Sequence, residues 1–151
     1  MDKNFAAKYA ARVSAAGPLE LVVITYEMAM DFMETALTNA DSSAPGEAVW
    51  IEYLEKARAA IALLSASLDL RLGIGRDLRA LYNYVSQKLQ EGVQQHSSAS
   101  VREAVEIFGR LLESWRSIEK ESNANQGENG HWRRAAAQAN TCTAQSVDYM
   151  V

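Results

Sequence analysis

The sequence predicts an all-α fold: an antiparallel four-helix bundle with an N-terminal capping segment and a C-terminal tail. Three observations carry this. Four segments repeat apolar residues at helical spacing. The two prolines, Pro18 and Pro45, stand where helices would open, because a fixed φ and a missing N–H suit the first helical position. The connections between segments are short, and short connections make neighbouring helices antiparallel.

Taken in order, the first long helix starts at Pro18 and fades near Asn39-Ala40-Asp41-Ser42-Ser43. The second starts at Pro45 and carries the strongest periodicity in the chain. Trp50, Leu54, Ala57, Ile61, Leu64 and Leu68 recur at steps of 4, 3, 4, 3 and 4, the seam of a helix packed lengthwise on others. Gly73-Ile74-Gly75 reads as a turn that breaks this pattern. Leu78, Leu81, Tyr82, Val85 and Leu89 then line a third helix ending near Gly92. The fourth opens on a capping box, Ser100 with Glu103, followed by Val101, Val105, Phe108, Leu112 and Trp115.

Residues 1–120 therefore form the bundle domain, with 1–17 as a cover segment: Phe5, Tyr9 and Val13 give it enough apolar surface to dock but too little to fold alone. From Glu121 to Gly130 there is no large apolar residue, which predicts a flexible linker, because such a run cannot offset the entropy of ordering. The rest of 121–151 is a tail whose Trp132 and Val147 to Val151 cluster could fold back on the bundle.

The function classes this chain excludes follow from charge and chemistry. Lys+Arg 15 against Asp+Glu 19 gives net charge −4, a poor match for nucleic acid or anionic lipid. Ala59 to Leu68, a charge-free run, is half the ~20 residues needed to span a bilayer, so no membrane insertion is expected. No apolar signal segment follows Met1, and the single cysteine, Cys142, has no internal partner; both point to the cytoplasm. The two histidines, His96 and His131, fall outside the predicted helices and lack the Glu-x-x-His or paired-ligand spacing of a metal site. No triad, metal or cofactor can be argued, and an enzyme is not expected. The carboxylates Glu20, Glu27, Asp31 and Glu34 share one strip of the first long helix and read as a solvated face.

One feature exceeds what a bundle needs. The first long helix carries two apolar stripes, Leu21, Ile24, Met28, Phe32 and Ala36, and Val23, Tyr26, Met30, Met33 and Leu37. The second long helix repeats the surplus: Ala59, Leu63, Ala66 and Leu70 recur opposite the core seam, small residues alternating with leucines in a shallow groove. A groove of Val23, Met30, Leu37, Ala59, Leu63, Ala66 and Leu70 is the candidate client-binding face. The N-terminal segment, the tail or a homodimer partner are its other possible occupants, since large apolar patches mark interaction sites.

Three patches resemble the FliS family of cytoplasmic flagellin export chaperones, over roughly Ala7 to Arg116. Lys8 to Leu21, with Tyr9, Val13, Ala16, Gly17, Pro18 and Leu21, and then Tyr26, are similar to the family's tyrosine, valine, Ala-Ser-Pro-x-x-Leu and following aromatic. Leu68-Asp69, the glycine turn and Asp77-Leu78-Arg79-Ala80-Leu81-Tyr82-Asn83-Tyr84-Val85 resemble its Leu-Asp, Gly-Gly and Asn-Leu-x-x-Leu-Tyr-x-Tyr-Met. Leu111-Leu112 and Trp115 match its terminal positions. Gly17 replaces the family serine, Thr25 an apolar residue and Met28 a glycine; the turn between Asp69 and Tyr82 is two residues shorter, and the tail is unlike the family.

The resemblance implies a bundle whose N-terminal cover, Tyr9 and Val13, yields to the C-terminal segment of flagellin, which is kept from polymerising and passed to the flagellar export gate. It implies that Pro18, Leu21, Tyr26, Leu81, Tyr82 and Trp115, with Leu64 from the seam, hold the bundle together. The alternative is a diverged paralogue: a structural or regulatory homodimer with no flagellin client.

Overall fold

The structure, a computed structural model, describes residues 3–40 and 44–124, and of 3–6, 44–46 and 124 the backbone alone. Five helices fill the described residues: α1 Lys3–Ala15, α2 Pro18–Thr38, α3 Ala44–Ala66, α4 Gly73–Gln95 and α5 Ser98–Ala124. Helices α2 to α5 close a ring in which α2 packs on α3 and α5, and α4 on the same two, while α1 lies on α2.

The cross-contacts fix the directions. Phe32, late in α2, faces Tyr53, early in α3. The indole of Trp50 at the start of α3 donates to the carbonyl of Gly92 near the end of α4, at 3.0 Å. Tyr26, early in α2, stacks on Phe108 and tilts against Trp115, late in α5. Each neighbouring pair is antiparallel, as predicted.

The periodic seam of α3 is buried as read: Trp50, Leu54, Ala57, Ile61 and Leu64 reach the core, and Leu68 is packed partly against it. Leu21, Tyr26, Tyr82 and Trp115 are also buried, whereas Pro18 is exposed at the opening of α2, where it serves the helix start rather than the core. Tyr26 and Tyr82 share a hydrogen bond between their hydroxyls in the middle of the bundle. Burial, reinforced at Tyr82 by its Tyr26 neighbour, holds both phenols above the ordinary tyrosine range. Thr25, polar in an apolar position, is satisfied by donating to the carbonyl of Leu21 at 2.8 Å.

Several local expectations are corrected. Leu81 is not core but 38% exposed. Its neighbours Leu78, Tyr82, Val85 and Leu89 take the inward positions, and adjacent helical residues lie about 100° apart, so Leu81 falls at the edge of their stripe. Gly73-Ile74-Gly75 is the first turn of α4, and the chain reverses earlier, where the Asp69 carboxylate accepts from the backbone N–H of Arg71 at 3.0 Å. A Cβ on Gly75 would stand 2.1 Å from the carbonyl oxygen of Asp69, which is why this position is glycine.

Helix α4 runs past Gly92 to Gln95 and ends at His96, in the left-handed region with φ 49°. The His96 ring meets the carbonyl of Ala40 at 2.9 Å. The capping box is displaced as well: Ser97, not Ser100, accepts from the N–H of Ser100, at 3.2 Å. Ser100 instead donates to Glu91, and Glu103 accepts from Tyr84 across the α4–α5 seam. Helix α5 continues four residues beyond Lys120, into what reads as linker.

Candidate functional site

The outer side of α3 remains open. Ala59 and Ala66 are exposed, Leu63 is half-buried and Leu70, in the turn that follows, is 40% exposed. Ala66 and Leu70 also line a cleft of about 480 Å³ between α3 and α4, together with Ile61, Ala62, Leu68 and Tyr82. Arg79, Asn83, Ser65 and Ser86 supply its polar wall. An apolar floor with a few polar groups at the rim suits an amphipathic segment, which needs burial on one face and hydrogen-bonding partners at its edge.

The second half of the predicted groove is not on this surface. Val23 is 2% exposed, so it belongs to the core. Met30 lies on the other side of the bundle: its methyl faces Gly109 of α5, and it lines a pocket with Tyr9 and Leu112. Leu37 is packed partly against the core. The apolar arc of α2 is wide because α2 is covered on three sides, by α3, α5 and α1; one bundle plus its cover does use nearly all of it.

The carboxylate strip of α2 is corrected at its middle, since Glu27 and Asp31 are where α1 docks, whereas Glu34 is exposed as a solvated face would be. Tyr9 is 1% exposed and Val13 is buried. The Tyr9 hydroxyl donates to Asp31, which also pairs with Lys8 at 2.8 Å. Arg12 donates to Glu27, and Arg116 of α5 donates to the same carboxylate at 3.1 Å. The cationic groups of Lys8 and Arg12 flank the Tyr9 ring, at 5.1 and 5.9 Å from its centre.

The electrostatics follow from this packing. Burial and then the Asp31 carboxylate raise the Tyr9 phenol. Burial would lift the Glu27 carboxyl, but hydrogen bonds from Arg12 and Arg116 outweigh it and hold Glu27 below the usual carboxylate range. Nearby Glu119 shifts the other way: desolvation, then Glu20 and Glu27, push its carboxyl up and outweigh the opposing pull of Arg12 and Arg116.

Sequence reasoning missed Lys8, Arg12, Glu27, Asp31 and Arg116 as one cluster. A signal existed. Lys8 and Arg12 are four residues apart, as are Glu27 and Asp31, with opposite signs, so two helices running in opposite directions match both pairs at once. Phe5 lies outside the residues whose side chains are described, as do Trp132 and the Val147 to Val151 cluster.

With the geometry in place, comparison with known proteins adds one finding: a family model described as flagellar protein FliS matches residues 1–122. No curated protein matches the chain. Among the described residues, no helix is long and apolar enough to cross a membrane.

Proposed function

Because the chain belongs to the FliS family, a family of flagellar chaperones rather than enzymes, we propose that it binds the C-terminal helical segment of flagellin in the cytoplasm, prevents premature polymerisation and delivers its client to the flagellar type III export gate. The observation that carries this reading is the open run Ala59, Leu63, Ala66 and Leu70 beside the α3–α4 cleft, on a molecule whose two apolar stripes of α2 are packed. Small residues let a client helix approach closely while the leucines supply burial. A few hundred Å² of apolar contact at ~25 cal/mol per Å² is several kcal/mol.

In this reading residues 1–120 are the chaperone domain and 121–151 its linker and tail. Helix α1 is a cover in place. It rests on the α2–α5 side and leaves the α3 face free, so its release would lengthen the client's path to the surface under Tyr9 and Val13, beside Met30 and Leu112.

The test is calorimetric titration of the full chain with a flagellin C-terminal peptide, together with mass in solution. A one-to-one complex is expected. No heat and no mass change would overturn the proposal, and a stable homodimer that excludes the peptide would favour a structural bundle without a flagellin client.

A further inference from the structure

We infer that the tail of this chain, residues 132–151, folds back into the α3–α4 cleft through Trp132 and the Tyr149-Met150 pair and occupies that face when no client is bound. The competition with client rests on the reading above; the docking itself does not.

Topology puts the tail's origin at the right end. Helices α2 to α5 alternate in direction, so the C-terminal ends of α3 and α5 and the start of α4 share one end of the bundle. The cleft reaches this end at Leu68 and Leu70, and the chain leaves α5 there, at Ala124.

Helix axes pack 8–10 Å apart, so the cleft, one helix beyond α5, is about 10–20 Å away across the bundle. Along the axis, at about 1.5 Å per residue, Ala124 stands about 25–30 Å past the level of Asn83 and Ser86, which lie beside Phe108 and Glu103, and about 10 Å past the start of α4, so the Leu68 and Leu70 end of the cleft is the part within reach of Trp132. Trp132 follows Ala124 by eight residues, a reach of about 26 Å when extended and about 16 Å as a typical coil. Asn125 to Gly130 carries no large apolar residue that would dock earlier, and Trp132 is the first that can.

The chemistry also fits. The Ala66, Leu68 and Leu70 end of the floor takes the Trp132 ring, and the Asn83 amide and Ser86 hydroxyl, further in, are partners for the Tyr149 hydroxyl. Arg79 in the wall, with exposed Arg76 at the mouth, presents positive charge to Asp148, which precedes Tyr149. The family match stops at residue 122, so the docked segment belongs to what this chain adds beyond the family.

Cys142 is the single cysteine and lies inside the proposed segment, which makes the test direct. A nitroxide on Cys142 of the full chain should broaden backbone amide resonances of residues 62–70 and 79–86 several-fold more than those of the α2–α5 side. The double variant Trp132→Ala, Tyr149→Ala should abolish that difference while other resonances stay in place. Even broadening, or broadening centred on α2 and α5, would overturn the docking. So would broadening of an unlabelled chain mixed with a nitroxide-bearing one, which would mean a second copy.

Competition is read separately, with a flagellin C-terminal peptide. The double variant should bind it at least threefold more tightly than the parent chain, and equal affinity would overturn occupation of the client face. If neither chain bound the peptide, the flagellin reading would fall, whereas the nitroxide experiment alone would still decide the docking.

Discussion

Arg12 of the covering helix α1 donates to Glu27 of α2, and that carboxylate is the same one that takes Arg116 from α5. A single acid therefore fastens the cover to two helices of the bundle. Both arginines are partly exposed, so the latch is worth only about 1 kcal/mol after solvent screening. Glu27→Gln should speed hydrogen exchange of the α1 amides about fivefold and leave the α3–α5 core amides unchanged. Equal acceleration throughout would show that Glu27 supports the whole bundle rather than the cover.

The pH dependence of the latch follows from the direction of the Glu27 shift. Its carboxyl is lower in the folded protein than in the unfolded chain. The stabilisation is therefore complete above the ordinary glutamate range, about 4.3, and is lost as pH falls through the lowered folded value. Exchange of α1 amides, corrected for intrinsic rates, should stay constant from neutral pH down to about 5 and rise only below the glutamate range; a rise beginning near neutrality would assign the latch to another group.

Glu119 has the opposite sign. Its carboxyl is raised by desolvation and by Glu20 and Glu27, and among the described residues its buried Oε2 has no hydrogen-bond partner. Keeping it ionised at neutral pH costs stability, and the cost disappears on protonation. Glu119→Gln should raise Tm at pH 7 by about 2–4 °C, the shift expected for about 1 kcal/mol in a chain of this size, and the gain should shrink in acid. A lower Tm would mean that the carboxylate has a favourable role.

Leu64 tests the seam. It is fully buried, so Leu64→Ala should cost ~2–5 kcal/mol through the cavity it leaves. Chemical denaturation measures this, and a loss below about 1 kcal/mol would show that the neighbouring helices close over the site.

The seam was legible in the sequence because one face of α3 meets two helices and its large residues, Trp50, Leu54, Ile61 and Leu64, outweigh the shorter Ala59 to Leu70 stripe opposite. Leu64 and Trp50 could be placed from spacing alone. The surplus on α2 was misread because periodicity counts apolar faces but not the neighbours available to cover them. Val23 looks like surface until α1, α3 and α5 are all set around α2. The Glu27 and Asp31 strip was misread for a related reason: a charged stripe reads as solvated unless the complementary stripe, Lys8 and Arg12, is compared with it. Ser97 lost to Ser100 because the capping-box pattern favoured a serine with glutamate three residues later, whereas geometry favoured the serine nearest the αL residue His96.

Three glycines separate close approach from free space. A Cβ at Gly92 would lie 2.6 Å from the Val101 methyl and 3.4 Å from Leu54, and a buried β-branched valine yields little. Gly92→Ala should cost about 1–3 kcal/mol by overpacking, less whatever helix propensity returns. Gly75→Ala should cost more, because the clash is with backbone at Asp69. Gly17 meets nothing within 4 Å and caps α2 without a side-chain hydrogen bond. Gly17→Ser should therefore stabilise by about 0.5–1 kcal/mol, through the new cap and a stiffer unfolded chain. Thermal denaturation of the three variants should rank them Gly17→Ser, Gly92→Ala, Gly75→Ala from most to least stable.

The client face is best tested at Ala66, exposed at the end of α3 and part of the cleft wall. A charge placed there would be buried without a partner under a docked helix. Ala66→Asp should weaken binding of a flagellin C-terminal peptide at least tenfold, ~1.4 kcal/mol or more. Aspartate at a helix C-terminus is itself unfavourable by up to about 1 kcal/mol, whereas lysine there is favourable. Ala66→Lys therefore separates the two causes: it should support the helix and still weaken the peptide, by less than aspartate because its ammonium can reach out to water. Titration calorimetry gives the affinities and circular dichroism the folding. Weakening by both variants with helicity retained assigns the loss to the client contact, whereas weakening by aspartate alone, with reduced helicity, would assign it to the frayed end of α3 and remove Ala66 from the groove.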